Sequence, residues 1–320
     1  MFAQRYLPLW ITASLLVLLF IVGAFQFDNF GSLRVVVNLF SDNAFLMITA
    51  IGMTLVIISG GIDLSVGSVI ALSGVAASVL ISEYQWHPLA AFAVILPLGT
   101  LFGVLMGAII YNYRLQPFIV TLAGMFLARG LATTMSEQSL EIDHPFYDFV
   151  SDFGFEIGGG AWLDLSTIIF AGILIMCILL MHYSRFGTNI YALGGNEQSA
   201  QLMGVPIKRT TIAIYAASSF LATVAGIIFT FYTFSGYALA AVGVELDAIA
   251  AVVIGGTLLT GGRGFVAGTV LGVLLMGVIQ TYITFDGTLS SWWTKIVIGL
   301  LLFFFIVLQK LLNGKNTTHA

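Results

Sequence analysis

Charge is what this sequence has least of. Only 8% of its 320 residues are Asp, Glu, Lys or Arg, against 59% hydrophobic, whereas a water-soluble domain carries about 25% charged residues. Too little polar surface remains to cover a soluble globule. The single cysteine, Cys177, excludes an internal disulfide framework and any multi-cysteine metal site. His87, His144, His182 and His319 are scattered and form no i, i+4 pair, so the H-E-x-x-H zinc pattern is missing and no metal site is expected. No G-x-x-x-x-G-K-[ST] loop is present to hold ATP phosphates, and no G-x-S-x-G nucleophile elbow. The apolar runs also lack the paired aspartates, or serine with histidine, of an intramembrane protease. A formal net charge of −4 gives no footprint for nucleic acid. The composition points away from an enzyme and requires no bound cofactor.

What is present is a series of apolar runs, many close to the ~20 residues that cross ~30 Å of hydrocarbon. The pattern predicts an all-α polytopic membrane protein of about ten transmembrane helices. The spans fall near 7–25, 42–60, 63–82, 89–110, 117–135, 165–182, 210–233, 245–260, 265–284 and 294–312. The opening MFAQRYLPLWITASLLVLLFIVGAF reads as the first span: its apolar run is long for a leader, and no A-x-A-like cleavage site follows. The 35 glycines suit close helix packing in lipid. Residues 1–320 are expected to form a single transmembrane domain.

Orientation follows from lysine and arginine in short loops. With the N-terminus inside, the inner set is Arg5, Arg114, Arg185, Lys208, Arg209, Arg263, Lys310 and Lys315. Arg34 falls outside, with Lys295 near an outer boundary. Both termini are then cytoplasmic. The interval 136–164 carries acids but no lysine or arginine, and lies outside.

Two non-spanning stretches exceed a turn. In the outer one, Phe146, Phe149, Val150 and Phe153 recur at helical spacing, with Asp143 placed to cap and Pro145 in the first turn. This predicts a short amphipathic helix at the outer interface, either a strut or a docking edge for an external partner. The inner stretch, 184–209, holds GGNEQSAQLMGV. Asn196 is a good N-cap, Glu197 favours a helix start, Gly204 suits a left-handed C-terminal position and Pro206 blocks continuation. A helix of about seven residues, ~10 Å long, is expected. It is too short to be stable alone, so Ala200, Leu202 and Met203 must pack against something. That partner is either its own subunit or another chain.

Polar groups within the spans are few. Asp63 in ISGGIDLSVGS lies between two spans, near Ser59, Gly60, Ser65 and Gly67. It either caps the third span or lines a solute path. A related pattern, GGTLLTGG, recurs at 255–262 and predicts a second tight helix–turn–helix of similar construction. Glu245 and Asp247 fall at the outer start of the eighth span. Arg129, in the outer third of the fifth, can snorkel outward. Deep spans with so little charge suit a neutral polar solute.

The segments NAFLMITAIGMTLVIISGGIDLSVGSV, RFGTNIYALGGNEQSAQLMGV and GVELDAIAAVVIGGTLLTGGRG resemble the permease subunits of bacterial ABC sugar importers of the ribose, xylose and arabinose type, across nearly the whole chain. GTLSSWWTKIVIGLLLF resembles the galactofuranose branch. The resemblance implies a permease fold of the ribose and branched-chain amino-acid type. It implies a non-catalytic subunit of the bacterial inner membrane whose partners are a cytoplasmic ATPase, a second and different permease chain, a periplasmic sugar-binding protein, membrane lipid and a monosaccharide. It makes Gly194, Gly195, Asn196, Glu197, Ala200, Leu202, Met203 and Gly204 the coupling helix and its borders, seated in a groove of the ATPase. Where the family often has an E-A-A-R-like run, this chain has Glu197-Gln198-Ser199-Ala200-Gln201. That departure removes one ionic contact but keeps the helix. Ser59, Gly60, Asp63, Ser65, Gly67 and Arg129 are the structural or path candidates. Asp143, Phe146, Phe149, Glu245 and Asp247 are the candidates facing the binding protein. The competing reading is a stand-alone ten-span secondary carrier, for which short inner loops and no docking helix would be expected.

Overall fold

The computed structural model describes the backbone of residues 2–290 and 292–314 and the side chains of residues 6–290 and 292–310. Lys315 and His319 fall outside the described residues, as does the side chain of Arg5. The chain opens with α1 (Phe2–Gln26), α2 (Leu33–Ile58) and α3 (Val66–Ser78), which runs on as a π-turn over Val79–Glu83. Next come α4 (Pro88–Tyr113) and α5 (Pro117–Met135). A loop region holds β1 (Leu140–Glu141), α6 (Pro145–Asp152), β2 (Gly154–Gly158) and β3 (Ala161–Asp164). Then follow α7 (Leu165–Tyr183), α8 (Arg185–Gly195), α9 (Glu197–Leu202) and α10 (Ile207–Thr233). The chain finishes with β4 (Ser235–Gly236), α11 (Val244–Ile254), α12 (Val266–Asp286) and α13 (Trp292–Gly314).

Nine helices among the described residues are long and apolar enough to cross a membrane. The region expected as an eighth span, 245–260, is instead the 11-residue α11 followed by irregular backbone. Gly256 takes φ 92°, and the N–H groups of Gly256 and Thr257 bond back to Val253 and Val252 at 3.0 and 3.1 Å, closing the helix as a Schellman motif. The expected third span also starts late. Irregular residues 59–65 precede α3, after Gly60 at φ 88° closes α2 in the same way. Free backbone groups inside an apolar bundle must find partners. After α11 they do: Thr12 of α1 donates to the Ile254 carbonyl, and Gln309 of α13 donates to those of Val253 and Thr257 at 3.1 and 3.3 Å.

α2, α3, α10 and α12 form the inner layer and are mostly buried. α1, α4, α5, α7 and α13 present Leu18, Phe126 and Phe303 among other exposed apolar side chains. α4 lies directly on α10 along Gly99, Gly103 and Gly107. A Cβ at Gly103 would stand 2.3 Å from the Tyr215 carbonyl oxygen, so only glycine permits this approach. Antiparallel packing gathers Arg114, Arg185, Lys208, Arg209 and Arg263 at one end of the bundle. Arg34, Lys295 and α6 stand at the other.

Candidate functional site

The basic end carries a helix pair rather than the lone helix read from the sequence. Ser184 caps α8 by accepting the Gly187 N–H at 3.1 Å. Asn196 starts α9, its Oδ1 accepting the Ser199 N–H at 2.8 Å. Gly204, at φ 81°, and Val205 donate to the carbonyls of Gln201 and Ala200, each at 3.0 Å, which completes a Schellman end before Pro206. Ala200 is fully buried against its own chain, whereas Leu202 is 90% and Met203 71% exposed. Glu197 is also exposed. The outward face therefore runs through Leu202 and Met203, and Ala200 seats the helix on its own chain.

Gly194 and Gly195 have opposite surroundings. A Cβ on Gly194 would lie 1.7 Å from the Ile58 carbonyl oxygen and 2.6 Å from the Gly262 nitrogen; one on Gly195 would meet nothing within 4 Å. Gly262 in turn donates to the Ile58 carbonyl at 2.8 Å, and a Cβ on Gly261 would stand 3.0 Å from Gly60. Tyr191 of α8 donates to the Gly264 carbonyl at 2.9 Å. The two related sequence patterns are thus both helix breaks, and they touch each other where α8 ends. The left-handed glycines that close α2 and α11, Gly60 and Gly256, are offset by one position in the shared pattern.

Asp63 is fully buried. It does not cap α3 through the helix's own N–H groups. One oxygen accepts from the Ser65 N–H at 3.0 Å and the Ser65 hydroxyl at 2.6 Å, an Asx-turn, and the other accepts from the Ser218 hydroxyl of α10 at 2.7 Å. Ser218 stands eleven residues into α10, ~16 Å along the helix, so the junction lies deeper than an end cap. Ser59 only closes α2, donating to the Val56 carbonyl at 2.7 Å. Asparagine can keep the geometry at 63, with its amide donating to a reoriented Ser218 hydroxyl, while alanine orphans three buried donors at about 1–3 kcal/mol each. Asp63→Asn is therefore expected to retain folded protein and most uptake, and Asp63→Ala to lose folded protein. Yield and uptake of both variants check this; loss of uptake in Asp63→Asn at full yield would make the carboxylate a proton carrier instead.

Arg129 does not snorkel. Its Nη1 donates to the carbonyls of Ala238 and Ala240 at 2.5 and 2.7 Å. Those residues belong to irregular backbone between β4 and α11 that runs down α3: Gly236 packs on Gly74 and Ser78, and the Ala241 carbonyl on Gly67. From Gly74 to Gly67 is ~10 Å of helix. α11 thus starts about two turns of α3 below Gly74, which takes Glu245 off an outward-facing edge. Glu245 turns a buried oxygen with no partner among the described residues against Gly67, within electrostatic reach of Arg129. Asp247 pairs with Lys295 at 2.6 Å.

At the far end, His144 rather than Asp143 caps α6, its Nδ1 accepting the Phe146 N–H at 3.0 Å. The inward face is Tyr147 and Val150, with Phe146 half-buried beside Phe92 and Phe231. Phe149 and Asp143 point outward. Tyr147 bonds Thr230 of α10 at 2.9 Å, and burial pushes its hydroxyl up to about 12, so this strap stays neutral. Sequence reading missed Asp42. It sat at a supposed span boundary, but α2 begins nine residues earlier, at Leu33. With Ser41, Asp164 and Tyr232 it lines a cavity of about 200 Å³.

Comparison with known proteins places these features in context. A family model described as "Branched-chain amino acid transport system / permease component" matches residues 35–306. The inner membrane ABC transporter permease protein YjfF of Escherichia coli (strain K12) is 54% identical over 96% of this chain and 93% of its own length. The fructose import permease protein FruG of Bifidobacterium longum is 38% identical, over 96% and 92%. The ribose import permease protein RbsC of Escherichia coli (strain K12) is 37% identical, over 89% and 88%. No solved structure matches.

Proposed function

The chain belongs to the branched-chain amino acid transport system / permease component family, and on that premise we propose that it is the membrane permease of an ATP-driven importer for a neutral monosaccharide. Residues 1–320 are then one permease domain. The gathering of arginine and lysine at the α8–α9 end supports placing that end, and both termini, in the cytoplasm. Loop 136–164 then faces the periplasm of a bacterial inner membrane.

The observation that carries coupling is the position of α9. It displays Leu202 and Met203 at the basic end, while Gly194, just before it, wedges against both helix breaks. A six-residue helix has no stability of its own, and an exposed apolar tip beside it marks a protein contact. A separate ATPase closing on this tip moves α8–α9, and Gly194 passes that motion to the junctions around Asp63 and Ile254. ATP is hydrolysed in that partner and not in this chain. A second, sister permease completes the path, and a periplasmic sugar-binding protein docks on the α6 face through Asp143, Phe146 and Phe149.

Relatives named for ribose and fructose import support the monosaccharide class, and the resemblance of GTLSSWWTKIVIGLLLF makes galactofuranose the first choice. The coupling role is tested with Leu202→Asp/Met203→Asp in the assembled importer. The expected result is uptake lowered by at least about tenfold, equivalent to ~1.4 kcal/mol of docking energy, with normal membrane insertion. Wild-type uptake in this variant would overturn it. Competition among labelled ribose, fructose and galactofuranose decides the sugar.

A further inference from the structure

A cavity of about 350 Å³ opens between α2, α11, α12 and α13 toward the end opposite the α8–α9 pair, at the lower edge of the range that holds small ligands. Its polar wall is Asn43, Asp247, Gln280, Trp292, Thr294 and Lys295, with Met276 and Ile298 beneath. Three of these come from GTLSSWWTK, a segment that the coupling machinery does not use.

The chemistry is selective. Asn43 is held against Gly277 of α12, where a Cβ would stand 2.8 Å from its Nδ2. One of its N–H groups donates to the Leu39 carbonyl at 2.9 Å, which leaves a second N–H and the amide oxygen without a protein partner among the described residues. Gln280 follows Gly277 by one helical turn and adds a second amide. Amides both donate and accept, as hydroxyls do. Lys295 grips both oxygens of Asp247 at 2.7 and 2.6 Å, so the opposite charges among the described lining residues are paired with each other. Thr294, 5% exposed, brings a hydroxyl with no partner among the described residues. Trp292 lines the cavity and is 75% exposed, and an indole ring is suited to the C–H face of a sugar. The 200 Å³ cavity differs in chemistry: Asp42 and Asp164 lie on its wall with no cation among its lining residues.

We propose that this cavity is a monosaccharide subsite, in which the Asn43 and Gln280 amides and the Lys295–Asp247 pair bind sugar hydroxyls and Trp292 stacks on the ring. The proposal rests on the importer reading above and extends it to named specificity residues.

The test is tryptophan fluorescence of the full-length permease in lipid nanodiscs, without a binding protein, titrated with ribose, fructose, galactofuranose and leucine. At least one sugar is expected to give a saturable change that disappears in Trp292→Phe, persists in Trp293→Phe, and needs about tenfold more sugar in Gln280→Ala. Leucine is expected to give none. No saturable sugar response, a response unchanged in Trp292→Phe and Gln280→Ala, or a response to leucine alone would overturn the subsite. Uptake by the assembled importer, measured in parallel, separates the two levels. If the wild-type complex imports a monosaccharide and Gln280→Ala imports it equally well, the subsite is wrong and the importer reading stands. If the wild-type complex imports no sugar, the importer reading itself fails.

Discussion

Gly194→Ala is expected to abolish ATP-driven uptake, while the same change one residue on, Gly195→Ala, leaves it near wild type. Both are glycines at the end of the same helix, and no propensity scale separates them. Their surroundings do. The new methyl at 194 would fall 1.7 Å from the Ile58 carbonyl oxygen and 2.6 Å from the Gly262 nitrogen, and at 195 it would meet nothing. Overpacking usually costs about 1–3 kcal/mol because flexible side chains give way. Here the obstruction is backbone from two other segments, so the cost lies at or above that range. Three elements must separate: the end of α2, the end of α8 and the loop before α12. Relief requires breaking the Gly262 N–H to Ile58 carbonyl bond, which holds the two helix breaks together. Uptake, ATPase activity and folded yield of both variants check this. A Gly194→Ala complex with full yield and ATPase activity but no uptake identifies the contact as the coupling element, and a loss of yield identifies it as structural. Wild-type uptake in Gly194→Ala would show that the contact does neither.

Much of this was legible in the sequence because it is local. Run length announced the spans, and Asn196, Gly204 and Pro206 announced α9, since capping depends only on residues a few positions apart. α8 was less visible: RFGTNIYALGG holds three glycines and two β-branched residues, poor helix formers that tertiary contacts with Met181 and Ile58 override. What the sequence withheld was depth and facing. Ala200 and Leu202 sit on one short polar helix, and nothing local says which of them touches the protein's own core. Asp63 read as a cap because it precedes an apolar run, yet its second oxygen is taken by Ser218, 155 positions away. Glu245 and Asp247 read as rim residues because a full span was expected below them. The chain instead spends 237–243 descending beside α3, which hydropathy cannot distinguish from a shorter loop at the surface.

That descending segment is the basis of the second large effect: Arg129→Met is expected to remove most folded, active permease. Irregular backbone within an apolar bundle survives only if its carbonyls are satisfied, and a single guanidinium nitrogen satisfies those of Ala238 and Ala240. Hydrogen bonds from a charged donor contribute about 1.5–3 kcal/mol each. Methionine also strips Glu245 of its nearby cation. One oxygen of that carboxylate, without a partner among the described residues, is already buried against Gly67, and leaving such a charge uncompensated costs a further ~3–5 kcal/mol when fully buried, less here because Glu245 as a whole is only half-buried. Two controls separate this from generic damage. Arg129→Lys keeps the charge and several donors on one nitrogen, so an intermediate yield is expected; a snorkelling side chain would instead tolerate lysine fully. Glu245→Gln in the Arg129→Met background removes the stranded charge and should recover part of the loss, a coupling of at least ~1 kcal/mol in a double-mutant cycle. Thermal stability of the four proteins in detergent measures it. Arg129→Met at wild-type stability, or additive effects of the two changes, would mean that the guanidinium neither holds the descending backbone nor balances Glu245.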